Sequence, residues 1–259
     1  QIKLEEEATL NMDGLYTDGL SLDLAAGWHY LPALSQCNVN AADIFNQMGS
    51  GLEIAKDIAG VRVYWPDMSI FTLNTIEPGL AYFVKLTADA SITFPTCAKS
   101  TTIKPIPRHQ SKQSPWDNPQ HTPVSHVIAF PAEVTKLILM EGDWIGVFTP
   151  NGKCAGMAIY DRVDFVISAF SDDPTTSDKT GFNAGEEMIF RHYAASTGEE
   201  HELMVSYQSG YGGGWFENHG MSVVSELKSG TLISETGQTY DVKIYPNPTT
   251  GLITIEGLT

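Results

Sequence analysis

The segment GDWIGVFTPNGKCAGMAIY, residues 142 to 160, places the dipeptide Asn151-Gly152 between two apolar runs. Asn and Gly tolerate the positive φ angles of a tight two-residue turn, so this segment predicts a β-hairpin. Three more short runs with the character of strands follow it: VDFVISAF, EEMIFRHYAA and EEHELMVSYQ. Five or six strands at this spacing, with no convincing helix, predict a β-sandwich module over residues 125 to 208.

A first β-rich module is predicted over residues 20 to 97, where alternating segments such as LSLDLAAGWHYLPAL are broken by turn residues. It contains one short helix, in the stretch NAADIFNQM, for which Asn40 supplies an N-cap. Ile44, Phe45 and Met48 form the apolar face of that helix. The predicted fold class is therefore mainly β, with two β-rich modules and one short helix in the first.

The remaining segments connect or flank these modules. Residues 98 to 124 hold five prolines and many Ser, Thr and Gln, which predicts a linker or an extended strap. Residues 1 to 19 form an acidic, turn-rich lead-in, and residues 209 to 237 form a Gly-rich loop and connector. Residues 238 to 259 form a last unit, in which apolar and polar residues again alternate on both sides of a Pro-Asn-Pro turn.

Charge limits the partners of the chain. A net charge of -16 repels nucleic acid and anionic membrane, so neither is expected as a partner. No apolar run approaches the roughly 20 residues that span a bilayer, so no transmembrane segment is predicted. The first residue is Gln1, which is expected either after removal of an export signal or in a piece of a longer chain.

The three cysteines, Cys37, Cys97 and Cys154, match no zinc-binding pattern. In an exported protein, one disulfide and one remaining thiol is the simplest account. Cys37 and Cys97 bracket one segment and are the favoured pair. Three buried thiols that act as small apolar side chains are the alternative.

The sequence contains no recognised catalytic signature: no Gly-x-Ser-x-Gly elbow, no His-Glu-x-x-His, no phosphate loop and no dinucleotide fingerprint. The histidines are scattered, although His192 and His201 are expected to approach each other on adjacent strands. No catalytic residue is assigned, and the chain is predicted not to be an enzyme.

The acidic loop from Ser171 to Glu187 is the candidate metal site. Its proposed ligands are Asp172, Asp173, Asp178 and Glu186. Ca²⁺ takes six to eight oxygen ligands from flexible segments, so such a loop suits it, although the spacing is not that of an EF-hand. The alternative is a solvated connection in which these side chains build turns. No other cofactor is expected.

Aromatic residues in predicted loops are the candidate ligand-binding residues. They are Trp116 in the Pro-rich segment and Tyr211, Trp215 and Phe216 in the Gly-rich loop. Exposed aromatic rings on β-structures stack on sugars or anchor partners. The alternative is that they fold back over the core, as strand residues Trp28, Trp65 and Trp144 are expected to do.

The segment YPNPTTGLITIEG resembles the opening of the C-terminal sorting domain of Bacteroidetes type IX secretion cargo. In that family a Tyr-Pro-Asn-Pro-x-x-Gly turn follows one strand and precedes another, as Tyr245 to Gly251 do here. The resemblance implies a secreted or outer-membrane surface protein that meets the type IX machinery. A complete sorting domain continues for several tens of residues, so residues 238 to 259 are interpreted as its truncated start.

The upstream modules also resemble recurrent modules of such surface proteins. The segments that carry this resemblance are AGWHYLPA, IAKDIAGVRVYWP, NTIEPGLAYFVKL and SITFP in the first module, and GDWIGVFTPNGKCAGMAIY with the acidic loop in the second. The resemblance implies a cellular location and a modular architecture, but it implies no catalysed reaction. The leading hypothesis is a non-catalytic region for binding, adhesion or assembly, with a glycan, a surface protein or another copy as partner. The alternative is an accessory, glycan-binding C-terminal region of a secreted hydrolase whose catalytic domain lies upstream.

Overall fold

The structure, a computed structural model, describes residue 9 and residues 19–97, 113–232, 243–245 and 254–256; for residues 231, 232, 243–245 and 254–256 it describes the backbone only. Within these parts the chain is mainly β, as the sequence predicts. The first nine strands are β1 (Ser21–Leu24), β2 (Gly27–Pro32), β3 (Val39–Asn40), β4 (Leu52–Asp57), β5 (Val63–Trp65), β6 (Ile70–Phe71), β7 (Thr75–Ile76), β8 (Ala81–Leu86) and β9 (Ala90–Thr93). The next seven are β10 (Ser125–Phe130), β11 (Trp144–Phe148), β12 (Cys154–Ile159), β13 (Phe165–Phe170), β14 (Ile189–Ala194), β15 (Glu199–Tyr207) and β16 (Met221–Leu232).

The first module is built on a five-stranded antiparallel sheet with the order β2-β8-β4-β5-β6. The predicted helix is present as α1 (Ala41–Phe45), and the Asn40 side chain accepts a hydrogen bond from Ala42 N at 2.9 Å, as an N-cap does. A 3-10 turn (Asn46–Gly51) continues α1, and a second one (Pro66–Met68) links β5 to β6. Ile44 and Phe45 are fully buried against one face of the sheet. The structure also contains the Cys37–Cys97 disulfide, which encloses most of this module.

The second module is a seven-stranded sheet with the order β12-β11-β14-β15-β16-β10-β13. Its pairs are antiparallel except β10 with β16, which run parallel. The two edge strands lie side by side. Their close approach is shown at Gly156 of β12, where an added Cβ atom would stand 2.4 Å from the Ser168 oxygen of β13. The sheet therefore curls into a nearly closed, sandwich-like layer around its own apolar core.

Two features of the second module differ from the sequence prediction. A short helix, α2 (Ala132–Thr135), follows β10 where no helix was expected. Strand β16 lies between β15 and β10, so this sheet extends beyond the expected boundary at Gln208 to Leu232. Only the shorter stretch from Ser209 to Gly220 forms the Gly-rich loop.

The two modules share a buried apolar interface. All six residues of β10 are buried: Ile128 and Phe130 face the core of the second module, whereas Val127 and Ala129 face the first module. The outer face of the first sheet meets them with Ile54, Val63, Trp65 and Ile70. Burial on both faces explains why the four consecutive residues from Val127 to Phe130 are all apolar.

The described part of the Pro-rich segment, residues 113–124, packs against the second module as a strap. The Trp116 ring lies edge-on to Phe148, with ring centroids 5.2 Å apart, and its Nε1 donates to the Glu200 carboxylate at 3.1 Å. Thr122 Oγ1 donates to the Val124 oxygen at 3.0 Å. Of the two interpretations of this segment, the strap is therefore the one that fits residues 113–124.

Strands β17 (Lys243–Tyr245) and β18 (Thr254–Glu256) pair in antiparallel register. The Pro-Asn-Pro turn between them lies outside the described residues, as does nearly all of the lead-in over residues 1 to 19. None of the helices in the described part of the chain has both the length and the apolar character needed to cross a bilayer.

Candidate ligand-binding surface

The four candidate aromatic residues do not come together in the structure. Phe216 is fully buried in the core of the second module, where it stacks on Phe182 at 5.1 Å, so its assignment to a ligand site is wrong. Trp116 is half-buried under its strap contacts, and Tyr211 lies half-buried, edge-on to Trp65 at the interface between the modules. Trp215 keeps 58% of its surface exposed and is the one of the four that is available to a ligand.

The backbone of the Gly-rich loop explains why Trp215 faces outward. Met188 N donates to the Gly214 oxygen at 2.7 Å, and Phe216 N donates to the Glu186 oxygen at 2.8 Å, which forms an antiparallel bridge between Glu187 and Trp215. Side chains alternate across such a pair, so Met188 and Phe216 enter the core while Glu187 and Trp215 share the outer face.

Beside Trp215, the outer face of the second sheet carries a shallow concavity of about 270 Å³. We use the name Trp215 surface for Trp215 together with the outward residues Glu187, Ile189, Glu202 and Met204. Met204 is 57% exposed, and Glu187 and Glu202 are exposed too. An apolar patch thus lies next to two carboxylates.

Tyr207, which packs against the core of the second module, also lines the concavity. Burial raises the pKa of its hydroxyl, and the nearby Glu187 carboxylate raises it further. The phenol therefore stays neutral. A Cβ atom built on Gly214 would lie 3.3 Å from the Tyr207 ring, so the loop backbone packs closely on this ring.

Buried hydrogen bonds hold the Gly-rich loop in place. His126 is fully buried; its Nδ1 accepts from Glu217 N at 3.0 Å and its Nε2 faces Ser222 Oγ at 2.8 Å. The Ser222 hydroxyl donates to the Gly213 oxygen at 2.8 Å, which leaves Nε2–H as the donor of the imidazole. Burial, and secondly the charge of Lys56, lowers the pKa of His126 to about 4, so the ring is neutral.

Glycine is required where this loop approaches His126. A Cβ atom built on Gly220 would stand 2.5 Å from His126 Nδ1, and one on Gly212 would stand 2.7 Å from the Met221 oxygen. Of the three glycines from Gly212 to Gly214, the first and the last thus serve close packing. Trp215 is consequently presented from a fixed backbone.

The proposed Ca²⁺ ligands serve the acidic loop itself. Asp172 Oδ1 accepts from Thr180 N at 2.7 Å, and this bond lowers the pKa of Asp172. Burial would raise the pKa of Glu186, but hydrogen bonds from Lys179 and from Asn183 lower it.

The other two proposed ligands do not complete a metal site. Asp173 accepts from Thr175 N at 2.9 Å, and the carbonyl oxygen of Asp178 accepts from Thr176 Oγ1 at 2.9 Å. In the part of the chain that the structure describes, no three His, Cys, Asp or Glu residues form a group that could hold a metal ion. The four proposed ligands are therefore not brought together, and the loop fits the alternative of a hydrogen-bonded connection.

His192 and His201 do lie opposite each other on β14 and β15, with ring centroids 5.9 Å apart. His192 Nε2 also lies 2.8 Å from the buried Asp143 carboxylate, which accepts from Ala195 N and Met140 N. These bonds tie β14 to the turn before β11, which is a structural role. The remaining cysteine, Cys154, is buried, and burial raises its pKa to about 11.

Sequence reasoning missed most of the Trp215 surface. Met204 and Glu202 occupy alternate positions of EEHELMVSYQ, which places them on one face of a strand. That alternation is visible in the sequence. Their position beside Trp215 depends on the bridge to Glu187, which local patterns do not reveal.

Comparison of the chain with known protein families, curated proteins and solved structures found no match.

Proposed function

We propose that this chain is a non-catalytic region of a secreted or cell-surface protein, and that it binds glycans through the Trp215 surface. One observation carries the proposal: a loop with a fixed backbone holds Trp215 outward, beside the exposed carboxylates of Glu187 and Glu202. A ligand that meets such a surface loses little free energy to loop ordering.

The chemistry of the surface suits a sugar. An exposed indole offers a broad apolar face, and the apolar face of a pyranose ring can lie against it. Glu187 and Glu202 have no hydrogen-bond or ion-pair partner among the described residues, so both can accept hydrogen bonds from sugar hydroxyls. Met204, which also lines the concavity, adds an adaptable apolar contact.

A glycan array probed with the wild-type chain, Trp215→Ala and Trp215→Tyr tests the proposal. We expect wild type to retain a defined set of glycans, Trp215→Ala to lose them, and Trp215→Tyr to keep weaker binding to the same set. Phe71→Ala is the matched control, because Phe71 is 49% exposed on the first sheet, away from this surface. Equal binding by wild type and Trp215→Ala, in variants with unchanged melting temperatures, would refute the assignment.

We further propose that the protein reaches the cell surface or the medium through the type IX secretion system. The resemblance of Tyr245 to Gly251 to the sorting-domain turn supports this, and so do the paired strands β17 and β18 on either side of it. The test follows the tagged natural gene product by immunoblotting in a type IX-competent bacterium and in a mutant that lacks the machinery. Retention inside the mutant cells is expected, and unchanged surface display in that mutant would exclude this route.

A further inference from the structure

A second concave region lies where the two modules meet, away from the Trp215 surface. It consists of two neighbouring pockets of about 490 Å³ and about 400 Å³ that share His121 as a wall. The larger is lined by Tyr30, Ile58 and Ala59 of the first module and by His121, Thr122 and Pro123 of the strap. We call the two pockets together the junction groove. Its volume falls in the range of about 300 to 1,000 Å³ that is usual for small-molecule sites, which occur preferentially at such junctions.

The wall from the first module is fixed by hydrogen bonds. The Asp57 carboxylate accepts from Val61 N at 2.9 Å and from Arg62 Nε at 3.1 Å, which closes the turn that carries Ile58 and Ala59. The Gly60 oxygen of the same turn accepts from the Ser168 hydroxyl of β13. The turn is thereby anchored at both its ends and to the second module.

The opposite wall is also held in place. The His121 ring stacks on Phe170 with centroids 4.6 Å apart, and the Thr122 hydroxyl points back to the backbone of Val124 and Ser171. Across the opening, the Tyr30 ring contacts Phe83 at 4.7 Å and remains 61% exposed. The groove therefore exists before any ligand arrives.

The lining of the groove selects for an uncharged ligand. In a chain with a net charge of -16, none of the described residues that line either pocket is Asp, Glu, Lys or Arg. Most of the lining is apolar or aromatic, and the Thr122 hydroxyl is already engaged within the strap. A charged molecule would lose its hydration there without a countercharge, whereas a flat apolar molecule would cover Tyr30 and Val61, which are both more than 45% exposed.

We infer that the junction groove binds a small uncharged molecule with a flat apolar ring, held between Tyr30 and the His121 strap. Such a ligand contacts both modules at once. Because it binds only when the modules are correctly joined, its binding raises the free energy of unfolding of the whole unit. This site is independent of the glycan-binding proposal.

Indole is a suitable probe, since it is neutral, flat and aromatic. Saturation-transfer NMR with the wild-type chain should show transfer from protein to indole, and saturating indole should raise the melting temperature. Ala59→Phe fills the larger pocket and should abolish both effects. Tyr30→Ala removes one wall without adding bulk and should weaken indole binding at least tenfold. Trp215→Ala and Phe71→Ala are the controls and should bind indole as wild type does.

Three outcomes would overturn the inference: no transfer with wild type, undiminished transfer with Tyr30→Ala, or loss of transfer with Trp215→Ala. The last result would assign the probe to the Trp215 surface instead. Tyr30 is largely exposed, so its replacement leaves a folded protein even if Ala59→Phe does not. Failure of the glycan array has no bearing on these results, because the two sites share no residue.

Discussion

Replacement of Gly60 by alanine should loosen the contact between the modules. Gly60 adopts a φ of +77°, and a Cβ atom at this position would stand 2.7 Å from Ser125 Oγ and 2.9 Å from Ser168 Oγ. Both hydroxyls are engaged: Ser125 Oγ accepts from Lys56 Nζ at 2.9 Å, and Ser168 donates to the Gly60 oxygen. Neither can rotate away without the loss of a buried hydrogen bond.

Gly79 provides a control with the same backbone conformation. Its φ is +79°, and nothing lies within 4 Å of a Cβ atom built there. The left-handed conformation costs alanine about 1 to 2 kcal/mol, of which the reduced freedom of the unfolded chain recovers roughly half, so Gly79→Ala should cost about 1 kcal/mol. Gly60→Ala adds the loss of a buried hydrogen bond to a charged group, worth about 1.5 to 3 kcal/mol, and should cost about 3 kcal/mol in all.

Urea denaturation of the wild type and both variants, followed by tryptophan fluorescence, measures this difference. We expect the midpoint of Gly60→Ala to fall clearly below that of Gly79→Ala, with no change in m-value. If the two variants lose the same free energy within about 0.5 kcal/mol, the close contact of Gly60 with the second module does not limit stability, and the reasoning is refuted.

Three further predictions concern pH and packing. Burial lowers the pKa of Lys56 from 10.5 to about 8, so on raising the pH the folded state releases this proton before the unfolded state does. Between about pH 7 and pH 10 the unfolding free energy of the wild type should therefore rise by up to about 3 kcal/mol relative to that of Lys56→Met. A difference between the two proteins that stays constant over this range would contradict the prediction. The lowered pKa of His126 contributes stability that is fully present above about pH 6.5 and is lost as the pH falls to about 4. When the unfolding free energy is measured over that pH range, His126→Gln should lose up to about 3 kcal/mol less than the wild type. Phe216→Ala should cost about 3 to 5 kcal/mol by chemical denaturation, whereas Trp215→Ala should cost under about 1 kcal/mol; equal costs would mean that the two rings are not on opposite faces.

The parts of the fold that the sequence predicts correctly are those that local chemistry determines. The hairpin of β11 and β12 is present with Asn151-Gly152 in its turn, and Gly152 adopts a φ of +81°, which suits a residue without a side chain. The loop spans residues 149–153 rather than two residues, and only the glycine of the pair has a positive φ. Asn40 caps α1 because its short side chain reaches the free backbone N–H of Ala42. Neither feature depends on distant residues.

The parts that the sequence does not reveal depend on long-range pairing. Trp215 and Phe216 are adjacent aromatics in a stretch without periodicity, and the bridge to Glu187 decides which of them is buried. The apolar run of β10 indicates burial on both faces, but its sequence does not indicate that the first module supplies one of the covering surfaces. The carboxylates of Asp172 and Glu186 are similarly ambiguous, since turn formation and metal binding use the same oxygen atoms.

The interface between the modules also affects the order in which parts of the chain can fold during synthesis. The outer face of the first sheet, which includes Val63 and Trp65, is covered by β10 and by Met221 and Val223 of β16. Residues near 221 emerge from the ribosome long after the first module can fold, and until then this apolar face has no covering surface. The nascent chain thus passes through a stage at which this exposed apolar face is prone to aggregation. A holding chaperone would protect it until Val223 has been made.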